Sequence, residues 1–426
     1  MHLTVSIEKN GKASVAGYID GNYGADAVFR YAPDYMADTA ALPISISLPF
    51  QYAPFSAERT SAFFDGLLPE GFTRKTVARA LRADENDYLR ILSELGRECL
   101  GAIRIKDESA EEEEICAYEP LSIEQVHALA EEGTSKSAEL VTKAHLSLTG
   151  ASGKAGLYYS RENNSWYLPK GCAPSTHIVK QSHVRMNGIV TNERLSLLTA
   201  SKLGMDVPDS FIINTGSHAD SDVLFATARY DRCFSDECAT ASGMKMPLRL
   251  HQEDFAQALG IKAADKYENP GQNYLKLMMT LLRNYSDNPI RDQLKLWDAM
   301  VFNYLIGNTD CHIKNFSLLY ASDMRSLHLA PIYDVVSTAV YENTSRDMAM
   351  NIGGEYSIDR IDRASFEKAA EESGIGRKIA MQRYDYLRER FEPALAEAAE
   401  ELEADGFKTA PAIKERILLT GGIGRK

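Results

Sequence analysis

The period of the apolar residues changes along this chain, and that change limits the folds open to it. As far as about residue 232 most apolar runs alternate with polar residues, as in strands, with only short helical stretches between them. Beyond Asn288-Pro289 the runs repeat at helical spacing. In the stretch 290–306, Leu294, Trp297, Met300, Val301, Tyr304 and Leu305 share one face, and Gly307 is placed to end the helix. ASFEKAAEESG, KIAMQRYDYLRERFEPALAEAAEELEADG and APAIKERILLT predict further helices. A strand-rich part followed by a helical part, in 426 residues, exceeds what one core holds and predicts two or three units.

The first unit is predicted over residues 1–110. Alternation on both sides of Asn10-Gly11 reads as a β-hairpin. LPISISLPF (42–50) is a second apolar run, fenced by prolines, while 61–72 and 85–96 read as helices and 99–106 as a strand. Acidic DESAEEEE (107–114) is expected to be a solvated linker. A strand-rich unit follows over 111–240, with strands in HLSLTGASGKAGLYYS, SWYLPK, THIVKQS and VLFATARYDR. Its one good helix is 192–204, with Asn192 placed to cap it and Gly204 to stop it. The helical unit takes the remainder, 241–426.

Bulk properties narrow the function. A net charge of −13 and a pI near 5.3 disfavour autonomous DNA binding, because phosphate neutralisation supplies most of that affinity. The six cysteines form no CxxC pair, which argues against a structural zinc site and a disulfide framework. MHLTVSIEKN lacks the pattern of a signal peptide and no run approaches 18 apolar residues, so a cytoplasmic protein with no membrane partner is expected.

The chemistry concentrates after Gly307. Asp310-Cys-His-Ile-Lys-Asn315 is a D-x-x-x-x-N loop, and Asp334 follows 24 residues after Asp310 in IYDVVS. Phosphoryl transfer to a hydroxyl uses an Asp to orient and accept the proton, and an Asn plus a second Asp to hold magnesium. Upstream, Lys180 ends the strand THIVK and Glu193 lies 13 residues on, the order of a phosphate-binding lysine and its helix partner. Gly150, Gly153 and Gly156 could form a loop over phosphates, although a plain turn would explain them equally. They match neither GxGxxG nor GxxxxGK[ST], which disfavours a dinucleotide-binding enzyme or a P-loop NTPase. His312 falls inside the loop, His177 reads as a strand histidine, and Tyr158, Tyr159 and Trp166 read as packing residues.

With these residues in hand, the chain resembles the HipA family of bacterial toxin kinases. The likeness runs through ISISLPF, AFFDGLLPEG, LGRECLGAIRI, SLTGASGK, LPKG, STHIVK, NER, ARYDR, LRLHQEDFAQALG, LIGNTDCHIKNFSL and PIYDVVS, in the family's order. It implies an α+β, bilobal, protein-kinase-like (phosphatidylinositol-kinase-like) fold with a small mixed α/β N-terminal subdomain and an all-α C-terminal lobe. It also implies ATP and Mg2+ as cofactors, Asp310 as base, and Asn315 and Asp334 as metal ligands. Nucleotide contacts would come from Gly150, Ser152, Gly153, Lys154, Lys180, Glu193, His312, Lys314 and Tyr333, with the backbone at Arg229 and Tyr230 near adenine and Gln252 close to the catalytic groups. Ser147 aligns with the family's autophosphorylated serine, and Thr149 offers a second hydroxyl two residues on. The implied partners are a small helix-turn-helix antitoxin (HipB-like), DNA only through that antitoxin, and a protein substrate such as an aminoacyl-tRNA synthetase, whose modification arrests growth. The chain departs from the pattern at SLTGASGK, where relatives carry Gln-Glu before the lysine, and at Ala228, where an acidic residue is common. Small-molecule phosphotransfer and a catalytically inactive co-repressor are the alternatives.

Overall fold

The Asn10-Gly11 alternation does become a hairpin: strands His2–Lys9 and Lys12–Asp20 pair antiparallel with Lys9 opposite Lys12. Asn10 and Gly11 take φ of 49° and 74°, the left-handed pair that a two-residue hairpin turn requires. The computed structural model describes residues 1–107, 116–132, 154–181 and 186–424. They fall into two units, one formed by 1–181, 226–263 and 318–326, the other by 182–225, 264–317 and 327–426.

In the first unit a sheet runs in the order Val28–Tyr31, Lys12–Asp20, His2–Lys9, Ile103–Asp107. Leu3, Val5 and Ile7 alternate inward and pack with Phe29, Phe63, Phe64, Ile91 and Leu92. The single helix expected over 61–72 is instead three pieces: Ala57–Phe64, a 3₁₀ turn Asp65–Leu67, and Gly71–Leu81. Pro69 is the reason, since it pushes Leu68 into extended backbone (φ −93°, ψ 158°) and cannot continue the helix. The run 42–50 forms no strand; it lays Ile44 and Leu48 into the core as irregular chain.

A second group of strands in this unit lies side by side in the order Ala117–Leu121, Ser165–Lys170, Lys154–Ser160, His177–Gln181. Tyr158 and Trp166 are buried there, with Tyr118 and Tyr158 ring centroids 4.1 Å apart. His177 contacts the Thr176 hydroxyl at 2.9 Å and meets the Tyr159 and Trp166 rings edge-on. Pairing of Ala117 with Lys170 brings Cys116 and Cys172 to 4.8 Å between Cα atoms, and they form a disulfide. That corrects the expectation from cysteine spacing, and a reducing compartment would tend to hold such a bond open. The remaining cysteines of the chain are free thiols.

Charge also holds this unit together. Glu98 accepts from Arg232 (2.7 Å), Arg249 (2.5 Å) and Arg229 (3.2 Å), while Arg229 and Arg232 both reach Asp231 and Arg249 reaches Glu8. Three guanidiniums and three carboxylates balance. The arginines hold the Glu98 and Asp231 carboxyls below their usual range, against the burial that would raise them.

The second unit is mainly helical. Helix Pro289–Ile306 is capped by the Asn288 side chain, has Pro289 in its first turn, and ends at Gly307 with φ 79°. A Cβ on Gly307 would also meet Ala339 Cβ and Gly421 Cα at 3.0 Å, so size as well as φ favours glycine. Trp297 donates to the Ala380 carbonyl and packs against Phe366, which also meets Tyr304 and Tyr384. The expected C-terminal helices appear as Arg363–Ser373, Arg377–Ala404 and Ala410–Thr420, joined by Tyr274–Tyr285. Short strands interrupt the helices, including the hairpin Asp347–Ile352 and Glu355–Ser357. Asn192 is not a cap. Its helix begins at Ile189, and Asn192 is buried within it, bonded to Ser337 at both O and N (3.0 Å each). No helix among the described residues is long and apolar enough to cross a membrane.

Candidate functional site

The loop after Gly307 is fixed by its own backbone and by hydroxyls. Asn308 donates to Asn303 Oδ1 (2.7 Å) and accepts from the Asp310 amide (3.2 Å). The Thr309 amide and hydroxyl both bond Thr338 Oγ1, at 2.7 and 2.8 Å, and the Thr309 hydroxyl also reaches the Ser345 carbonyl. Cys311 and Ile313 are buried alongside, and burial pushes the Cys311 thiol up, leaving it a core residue rather than a nucleophile. Against these fixed neighbours Asp310 itself stays exposed.

Asn315 closes the loop. Its Nδ2 donates to the Asp310 carbonyl at 3.0 Å, and its amide donates to the His312 carbonyl at 2.9 Å. With Nδ2 used as a donor, Oδ1 is the atom suited to a hard cation. Tyr333, beside Asp334, returns to the same loop: its hydroxyl bonds Ser317 Oγ at 2.7 Å and the Lys314 carbonyl at 2.9 Å. Asp334 has φ 56°, a left-handed conformation that Asp tolerates better than most residues and that costs backbone energy. Three residues on, Ser337 is held by Asn192 of the helix carrying Glu193 and donates its hydroxyl to the Ile306 carbonyl. Asp310, His312, Lys314, Asn315, Tyr333 and Asp334 therefore belong to one hydrogen-bonded segment pair. An oxygen-donor set of one amide and one carboxylate suits Mg2+, which keeps several other positions for water and phosphate.

Asp310 opens into a cleft of about 870 Å³, also lined by Tyr267, Glu268, Asp347, Met348, Glu355 and Arg360. Glu268 is the hub of one wall. It accepts from the Tyr274 and Asn351 amides (2.6 and 3.1 Å), the Tyr356 hydroxyl (3.0 Å) and the Asn351 side chain. Burial pushes its carboxyl up, against those donors. The Tyr267 hydroxyl donates to Asp310 Oδ1 at 2.7 Å.

In the other unit, Lys154 and Lys180 are directly opposed across adjacent antiparallel strands, and both are buried. Such a doublet of cations suits a polyanion. Gly156 sits inside that strand, opposite Ile178, and not in a phosphate loop. The Arg229 amide donates to the Thr176 carbonyl, and its guanidinium is committed to Glu98 and Asp231. Tyr230 donates its hydroxyl to Gln252. Glu193 is buried in helix Ile189–Lys202 of the second unit. Ser147, Thr149, Gly150, Ser152 and Gly153 lie outside the described residues.

A model of the HipA-like C-terminal domain matches residues 146–398, and a model of the HipA N-terminal domain matches 11–106. The chain belongs to the HipA family. Y4mE of Sinorhizobium fredii is 33% identical over 396 residues, covering 91% of this chain and 90% of that protein. The serine/threonine-protein kinase toxin HipA of Shewanella oneidensis is 25% identical over 410 residues, covering 92% and 89%. The structure of HipA from the Shewanella oneidensis complex of HipA, HipB and operator DNA aligns with a TM-score of 0.80. It covers 99% of this chain and 97% of that one at 22% identity. The fold is thus the α+β, bilobal, kinase-like fold of HipA. Sequence reasoning missed Tyr267 and Thr338 in this candidate site; Tyr267 stands 43 residues before Asp310, in a turn-rich stretch with no motif of its own.

Proposed function

We propose that this HipA family member is an ATP-dependent kinase that transfers the γ-phosphoryl group to a serine or threonine of a cellular protein. The observation that carries the reading is the exposed Asp310 carboxylate at the cleft, on a loop tied to Asn315 and to the Tyr333–Asp334 segment. Asp310 takes the proton of the acceptor hydroxyl as its oxygen bonds to the γ-phosphorus; the bond to the β–γ bridging oxygen breaks and ADP leaves. Asn315 and Asp334 hold Mg2+, which neutralises charge developing on the phosphates. Lys154 and Lys180 bind phosphate oxygens, with Glu193 in support.

The same reading assigns Ser147, and Thr149 as a second hydroxyl, to autophosphorylation, which adds about −1.5 to −2 charge to their loop and silences the enzyme. By likeness to the HipA–HipB–DNA complex, a HipB-like helix-turn-helix protein is the proposed partner, and it supplies the DNA contact that a chain of net charge −13 is poorly suited to make. A cytoplasmic aminoacyl-tRNA synthetase is the proposed substrate, with growth arrest as the outcome.

The test is incubation with labelled ATP and magnesium, followed by mapping of incorporated phosphate. The wild type labels Ser147 or Thr149, and Asp310→Asn loses about 10²–10⁴-fold in rate. Equal labelling by the two proteins rules out Asp310 as the base.

A further inference from the structure

Tyr267 is placed by more than one element yet is 47% exposed, so no core requires its ring. The ring meets His312 edge-on at 5.4 Å, and the Lys266 ammonium lies 5.3 Å from its centre. Its neighbour Glu268 is pinned by Tyr274, Asn351 and Tyr356, which fixes the backbone from which Tyr267 projects. The Glu268 amide is pinned as well, by the Ala349 carbonyl at 2.9 Å. From this anchored position the phenol oxygen reaches Asp310 Oδ1 at 2.7 Å.

An acceptor hydroxyl must make the same kind of bond, an O–H donated to an Asp310 oxygen at roughly 2.6–3.2 Å. A carboxylate has lone pairs for further donors. The phenol nevertheless holds one oxygen and fills space in the cleft that both residues line. We propose that Tyr267 is a specificity-determining residue of the acceptor site. Its hydroxyl holds the acceptor's place on Asp310, keeps water from being activated there, and yields to a protein-borne hydroxyl whose surroundings also bind the cleft. This rests on Asp310 being the base.

The consequence concerns the wasteful reaction, in which a water oxygen bonds to the γ-phosphorus, the bridging P–O bond breaks, and ADP and phosphate result. Removing only the hydroxyl, in Tyr267→Phe, keeps the ring against His312 and frees Oδ1 of the exposed Asp310 to take a water in place of the phenol. With Mg-ATP and no added acceptor, the full-length Tyr267→Phe protein should release phosphate up to about tenfold faster than wild type, the low end for losing a hydrogen bond to a charged group. A merely structural role predicts no gain, so an unchanged or lower rate overturns the proposal.

The contact itself is read without turnover. In protein labelled with ¹³Cζ-tyrosine, the resonance missing from Tyr267→Phe is that of Tyr267, and it should move in Asp310→Asn. A resonance that stays put overturns the proposal even in an active enzyme. Phosphate incorporation by wild type that Asp310→Asn lacks tests the kinase reading separately, so failure of one is told from failure of the other.

Discussion

Replacing Glu98 by Gln removes one charge and almost no volume from the centre of the six-residue network in the first unit. Wild type has three guanidiniums against three carboxylates, and the side chains of Arg229, Arg232, Arg249, Glu98 and Asp231 are each at most 4% exposed. After Glu98→Gln a net positive charge remains there, and an amide NH2 faces groups that can only donate. Breaking a buried pair in this way costs about 3–5 kcal/mol. At roughly 2–4 °C per kcal/mol for a unit of this size, the melting transition should fall by about 10 °C. Calorimetry at pH 7 measures it, with Asp385→Asn as a control that breaks the exposed Arg363–Asp385 pair and leaves the transition nearly where it was. The acid limb gives a second reading. The Glu98 carboxyl is held below its ordinary value of 4.5, so its contribution is present above that pH and is lost as pH falls below it. Glu98→Gln should therefore lose less stability on acidification than wild type. A shift under about 2 °C at pH 7 would refute the reasoning, because it would mean the arginines are solvated or re-paired at little cost.

Asp334→Asn keeps the shape and the tolerance of φ 56° but removes the charge proposed to hold Mg2+; on that proposal the Mg2+ concentration needed for ATP to raise the melting temperature should increase at least tenfold. Lys180→Met should weaken ATP binding in calorimetry by about tenfold or more while leaving the fold intact. Burial pushes the Glu253 carboxyl up to about 7, against hydrogen bonds from Ser45, Tyr320 and the Ile46 amide. The folded chain therefore holds that proton more tightly than the unfolded one, and stability falls as pH rises from about 4.5 through 7. Glu253→Gln should flatten that decline, worth about 3 kcal/mol, in melts between pH 5 and 8.

What was legible in the sequence was what lies close together along the chain. Gly307, Asp310 and Asn315 announce a helix end and a tightly bonded D-x-x-x-x-N loop because one short segment carries them all. Lys154 opposite Lys180 was not legible as a pair, since cross-strand register decides it. The local reading failed where a tertiary partner outbid a local one: Asn192 has a good capping side chain, but Ser337 engages it at the helix's buried face. The Glu98 network and the Tyr267 hydroxyl were out of reach for the same reason, their partners standing 131 and 43 residues away. Nothing in LGRECLG or in ARYDR, read there as helix and strand ends, announces the other until the fold sets Glu98 against Arg229.

The Cys116–Cys172 bond makes the stretch between them a covalent ring. One peptide bond cut anywhere from 116 to 172 leaves a protein of unchanged mass on a non-reducing gel, apart from the added water, and two fragments appear only after thiol is added. Ser147 and Thr149 lie on that ring, so a phosphate placed on either one stays with the intact mass until reduction assigns it to a fragment.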